Sequence, residues 1–223
     1  MFVVHGNLIA CDAAVNGSLW VHDRLDRLGA LPPAAVVVGF DWPGKRVYRL
    51  DHRDLAEKQR RAFVAGYHLA RVVQALPAGC PVTLSGHSDG GRAVAAALHL
   101  LGGGELGAMS VRDPVARLPA SRPDLRLRAV LVAAAFDRHW LDPGERLDRA
   151  LPACEGMLNL YNRHDEALPL YPLDLRTDHR RAIGRVGLLN RDFARLGPLA
   201  ARYAECDLGP IIGRDHSLTG AIA

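Results

Sequence analysis

The chain has 223 residues, 49% hydrophobic and 23% charged, with a formal net charge of +4. That length supports one sizeable core and is short for two, so a single domain over residues 1–223 is expected, and no apolar run approaches the length of a membrane span. The mild basic excess argues against nucleic-acid binding. Lys45 and Lys58 are the only lysines, and acids interleave with arginines along Asp51, Arg53, Asp54, Glu57 and Arg60, the pattern of a solvated helix face.

Cys11, Cys80, Cys154 and Cys206 are widely scattered, without a CxxC pair or metal-ligand spacing. They read as buried, reduced thiols of a cytoplasmic protein, and neither a metal nor another cofactor is implied. Leu8-Ile9-Ala10-Cys11 has the look of a lipoprotein cleavage box, but no basic leader precedes it and His5, Gly6 and Asn7 interrupt the apolar stretch.

In chain order, Phe2-Val3-Val4 predicts a short buried strand that leaves through His5-Gly6-Asn7, where the glycine permits a sharp turn. A backbone amide here, Asn7 or its neighbour Leu8, is a candidate oxyanion donor. Residues Ala13 to Leu28 place Val15, Leu19, Leu25 and Leu28 at helical spacing, and Pro32-Pro33 ends that segment. Ala34 to Phe40 is Val-rich and reads as a strand buried on both faces. It exits through Asp41-Trp42-Pro43-Gly44, with Trp42 expected in the core. Asp51 to Leu76 is the longest helical segment, a crossover helix ending at Pro77-Ala78-Gly79.

Pro81 to Gly102 carries the strongest signal. An apolar strand (Val82, Leu84) meets a helix (Ala93, Ala96, Leu100) through Gly86-His87-Ser88-Asp89-Gly90-Gly91. This is the nucleophile-elbow pattern, in which a strained turn exposes a serine hydroxyl and small neighbours avoid collision with the returning backbone. The helix beneath presents its first amide, from Asp89, as a second oxyanion donor. Without that chemistry the same residues would be a Gly-rich turn with a capping serine.

Gly102 to Arg126 is rich in Gly, Pro and Arg and reads as an irregular rim or flap over a site. Ala129 to Phe136 and Gly156 to Tyr161 are apolar strands, leaving through Asp137-Arg138-His139-Trp140 and Asn162-Arg163-His164-Asp165. After the Arg-rich stretch Tyr171 to Ala201, a last strand around Ala204 to Leu208 precedes Gly213-Arg214-Asp215-His216. Strand and helix alternate throughout, so the expected fold is α/β: a mostly parallel, doubly wound sheet of about six strands with helices on both faces. Right-handed crossovers then bring Asn7, Asp41, Ser88, Asp137, Asp165 and His216 to one sheet edge.

The residues HGN, GHSDGG, NRHDEAL and DHS, spread over nearly the full length, resemble the α/β-hydrolase superfamily. The Trp-Pro turn and Trp140-Leu141-Asp142-Pro143-Gly144 resemble a bacterial group of small serine hydrolases within it. The chain begins at what would be the third strand of the full fold, and a closing helix after His216 would be short or absent. The resemblance implies a triad of Ser88, Asp165 and His216, acting on a small-molecule acyl substrate through an acyl-enzyme, with no nucleic-acid or membrane partner. Asp137 is the alternative acid, since both aspartates follow apolar strands. Of ten histidines, His216 sits on a glycine-started loop able to reach back over the sheet. His164 is its rival but adjoins Asp165, and adjacent loop residues point apart. Ester, thioester and amide substrates would use the same triad. An inactive hydrolase-fold binding module would keep the sheet and lose it. An epoxide or haloalkane hydrolase would carry aspartate at the elbow.

Overall fold

The computed structural model describes residues 1–9, 11–45, 52–107, 115–119, 122–173 and 181–217. In chain order the strands are β1 (Phe2–Val4), β2 (Val38–Phe40), β3 (Pro81–His87), β4 (Leu106–Gly107), β5 (Val115–Ala116), β6 (Arg126–Val132), β7 (Gly156–Tyr161) and β8 (Tyr203–Asp207). The α-helices are α1 (Cys11–Arg27), α2 (His52–Gln74), α3 (Asp89–Leu101), α4 (Ile183–Val186), α5 (Asn190–Leu196) and α6 (Gly209–Ile212). A 6-stranded sheet runs in the order β2-β1-β3-β6-β7-β8, and every pairing in it is parallel. This is the doubly wound architecture expected from the alternation.

Handedness places the layers. The step from β1 to β2 runs one way along the sheet and the steps from β2 onward run the other. Right-handed crossovers therefore put α1 on one face and α2 with α3 on the other. The strand order reverses between β1 and β3, and the crevice at such a switch point, beyond the carboxyl ends of the strands, is where ligands bind in open α/β sheets. Asn7 follows β1 and Ser88 follows β3, so both stand at that crevice.

The core is built around α3, all of whose residues are buried. Its Ala-rich face suits close approach: a Cβ on Gly66 of α2 would stand 2.7 Å from the Ala93 carbonyl and 2.7 Å from the Ala96 methyl. Leu84, Leu98, Leu131 and Phe136 fill the space between this helix pair and the sheet, all fully buried.

Several expectations change. Ala34 to Phe40 contributes only the three-residue edge strand β2, with Val36 68% and Val38 37% exposed, because no strand or helix among the described residues covers its outer side. Helix α1 forms as expected but buries Ala14 and Val21, while Val15, Leu19 and Leu28 face outward. The reason is the close approach of helix and strand: a Cβ at Gly39 would lie 2.6 Å from the Ser18 hydroxyl, so small residues occupy the contact. The charged start of α2 is only partly solvated, since Asp54 and Lys58 are buried and paired at 2.6 Å. The helix expected over 51–76 ends at Gln74, and Asp51 lies outside the described residues.

The run Ala129 to Phe136 leaves the sheet after Val132, where Ala133 takes a positive φ of 45° and turns the chain around Ser88. The described part of the Gly102–Arg126 segment does not cover the site. Helix α3 carries the chain from the Ser88 edge to the opposite edge, where the described part forms the β4–β5 hairpin and leads into β6; residues 108–114 and 120–121 lie outside the description. Only Cys154 of the four cysteines is buried, and Cys11 and Cys206 are exposed. Cys11 opens α1 and Cys206 lies on the edge strand β8, both at the periphery. Among the described residues no helix is long and apolar enough to cross a membrane.

Candidate active site

Ser88 joins β3 to α3 with φ 54° and ψ −121°, a left-handed conformation that costs a non-glycine residue about 1–3 kcal/mol. Its neighbours must be glycine for steric reasons. A Cβ on Gly86 would stand 2.4 Å from the Gly90 carbonyl oxygen, one on Gly90 2.3 Å from that of Val4, and one on Gly91 2.6 Å from the Ala134 methyl.

The structure brings together residues 128 positions apart. The Ser88 hydroxyl donates to Nε2 of His216 at 3.1 Å, and the Nδ1–H of His216 donates to Oδ2 of Asp165 at 2.5 Å. Asp165 is buried, and its other oxygen accepts the amides of Ala167 and Leu168, both at 2.8 Å. These bonds occupy Oδ1 and leave Oδ2 to the imidazole. Asp137 is equally buried but accepts the amide of His139 at 3.0 Å and caps the 3₁₀ turn Arg138–Leu141. His164 is exposed and points away from the site, its ring lying near Gly209.

The two candidate amides after β1 differ in what they bond. The Leu8 amide is spent on the Gly44 carbonyl at 2.9 Å, whereas the Asn7 amide has no acceptor among the described residues. The Asp89 amide opens α3 and has no intrahelical partner. Asn7, Ser88, Asp89 and His216 line a common cavity of about 190 Å³ with Arg92, Ala135, Leu168 and Tyr171. A larger hollow of about 620 Å³, rimmed by Arg122, Arg126, Arg149 and Arg202, lies at the opposite sheet edge.

Three contributions were invisible in the sequence. The His87 ring donates from Nε2 to the His216 carbonyl at 2.6 Å and so holds the base loop. Burial first, and the neighbouring His216 second, push its pKa down to about 4, which keeps the ring neutral. Gly6 serves that ring: rather than a positive-φ turn, it supplies space, since a Cβ there would meet His87 Nδ1 at 2.7 Å. Asn162, buried after β7, donates to the carbonyls of Gly213 and Asp215, each at 2.9 Å, and ties the acid loop to the base loop. A polar residue at a strand exit was the available signal for Asn162; nothing local marked the ring of His87.

The third contribution is a buried charged layer beneath the cavity. Asp54 with Lys58 and Asp89 with Arg92 stand close together, the second pair at 3.5 Å. Desolvation raises the Asp89 carboxyl above the usual carboxylate range, against the opposing pull of Arg92 and Lys58. Arg92 is fully buried, donates through Nε to the Ala135 carbonyl at 2.9 Å, and has a second bond to it from NH2. Its NH1 has no acceptor among the described residues, and an unpaired buried donor costs about 1–3 kcal/mol.

No protein-family model and no curated protein sequence matches the chain. Among solved structures it is similar to acyl-protein thioesterase 2 of Zea mays, with 14% identity over 92% of this chain and 83% of that one and a TM-score of 0.41. A likeness that remote carries no weight for function. Fold and site alone define the class: a doubly wound α/β protein with a serine elbow at its switch point.

Proposed function

We propose that the protein is a serine hydrolase that cleaves a carboxylic ester or thioester through an acyl-enzyme on Ser88. The observation that carries this reading is the unbroken line from Asp165 through His216 to the Ser88 hydroxyl, with the Asn7 and Asp89 amides unspent beside it. In the acylation step His216 Nε2 takes the hydroxyl proton while Oγ bonds to the substrate carbonyl carbon. The carbonyl oxygen becomes an oxyanion facing the two amides. Asp165 holds the imidazole in the tautomer that leaves Nε2 unprotonated and stabilises the imidazolium once formed. Collapse breaks the bond to the alcohol or thiol, which leaves with the proton from His216. A water then repeats the sequence, giving the acid and restoring Ser88.

The arrangement also favours turnover over mere binding. An inactive module has no use for an aligned acid, base and strained hydroxyl, and the strain at Ser88 persists only where surrounding structure enforces it. The test is a fluorophosphonate label with a panel of aryl esters of graded acyl length. Ser88 is expected to be the labelled residue, and Ser88→Ala to remain folded while losing roughly a million-fold in turnover, the scale seen when a triad serine is removed. Full turnover by the alanine variant would sink the reading.

A further inference from the structure

The cavity beside Ser88 holds a cation that the hydrolytic steps do not use. Arg92 reaches it from α3, enclosed by Phe63, Trp140 and Tyr171, whose ring centroids lie 5.9, 5.8 and 5.8 Å from its guanidinium carbon. The Ala135 carbonyl takes two of its nitrogens, and NH1 is left buried without an acceptor among the described residues. Ala135 also donates its own amide to the Ser88 carbonyl at 3.0 Å. The guanidinium and the serine are thus fastened to opposite sides of one residue.

We propose that Arg92 is a specificity determinant for acyl groups that end in a carboxylate, so that the preferred substrate is a hemi-ester or hemi-thioester of a short dicarboxylic acid. This rests on the hydrolase reading of the same site. A carboxylate entering the cavity supplies the acceptor that NH1 lacks, and guanidinium and carboxylate are matched in shape and charge. The surroundings sharpen the demand. Asp54 pairs with Lys58 at 2.6 Å, and Asp89 meets Arg92 only through NH2 at 3.5 Å, which leaves NH1 outside both pairs. The volume limits the chain. About 190 Å³ falls below the roughly 300–1,000 Å³ of sites for drug-sized ligands, which suits a short acyl group. The apolar walls of Leu55, Leu168 and Tyr171 accept its methylenes.

The experiment compares three esters on the wild-type enzyme: monomethyl glutarate, the methyl ester of glutaric acid monoamide, and methyl pentanoate. Charge-assisted hydrogen bonds give an expected kcat/KM ratio of roughly 10–100 for the acid over its amide isostere, carried mainly by KM. The ratio falls to about 1 in Arg92→Met and to an intermediate value in Arg92→Lys. A wild-type ratio at or below 1, or a full ratio kept in folded Arg92→Met, overturns the proposal. If both variants fail to fold, the wild-type ratio decides. Calorimetric titration of Ser88→Ala with the same acid and amide measures recognition without turnover. Tighter binding of the acid supports the carboxylate site even where no ester is cleaved, and equal binding overturns it. Absence of fluorophosphonate labelling counts against the hydrolase reading alone.

Discussion

Asp137 and Asp165 are a natural experiment within one chain. Both leave adjacent parallel strands, both are buried, and each has a histidine nearby, yet only one is bonded to the imidazole that meets Ser88. The difference lies in what the fold places opposite each carboxylate. Asp137 caps its own 3₁₀ turn, and the histidine two residues on faces other acids: His139 Nδ1 lies 3.3 Å from Asp142 and 3.2 Å from Asp192. Those two carboxylates also meet Arg195 at 3.1 Å and Arg138 at 3.6 Å, so the group is an ion-pair clamp between the turn and α5. It is the one cluster among the described residues with the spacing for a metal ion, but its carboxylates are already matched by arginines. Asp165 satisfies its local amides with one oxygen and keeps the other for a residue 51 positions away. A buried aspartate at a strand exit is thus not enough; the site needs one whose second oxygen faces the loop that carries His216.

The sharpest way to break the comparison is to neutralise each acid. Asp165→Asn is expected to lower kcat by about 10⁴, the scale for an isosteric change that disturbs the imidazole tautomer. Asp137→Asn should change kcat by less than about tenfold and instead cost about 1 kcal/mol of stability through the weakened cap. Steady-state kinetics with chemical denaturation of both variants checks this, and the reverse ranking would move the acid to Asp137.

Asn162 comes next in size. Asn162→Ala removes both bonds to the base loop, so kcat should fall roughly 10–100-fold with KM little changed, because alignment rather than substrate contact is lost. A KM effect alone would assign Asn162 to binding.

A smaller effect is expected from His87. Its folded pKa of about 4 lies below the ordinary 6.5, so the unfolded chain binds the proton more readily. The stability contributed by the neutral ring is present in full above about pH 6.5 and is lost as pH falls toward 4. The wild-type melting midpoint should therefore drop a few degrees more between pH 7 and 4.5 than that of His87→Gln, which does not titrate. Parallel curves would show that another group drives the acid sensitivity. The smallest effect belongs to His164→Ala, which should leave turnover unchanged and stability within about 0.5 kcal/mol, as for an exposed side chain. A large activity loss there would put the base on the wrong loop.

The alternation of elements, a mostly parallel sheet and the elbow pattern were legible in the residues because each is a local demand. Buried parallel strands need continuous apolar runs, and a strained serine between a strand and a helix needs glycine where a Cβ would strike backbone. The order serine, aspartate, histidine at successive strand exits was legible too, since parallel connectivity alone collects those exits on one edge. Tertiary structure decided the rest. Which side of α1 faces the sheet depends on how near Gly39 comes to Ser18, and periodicity carries no such distance. Val36 and Val38 have the composition of an interior strand, but their position in the strand order leaves them at an edge. Lys58 lies within a stretch that reads as a solvated helix face, and only the packing of α2 along α3 takes it out of water. The ring of His87 and the amide of Asn162 act on a loop that lies 129 and 51 residues away, so their roles exist only once the chain has folded.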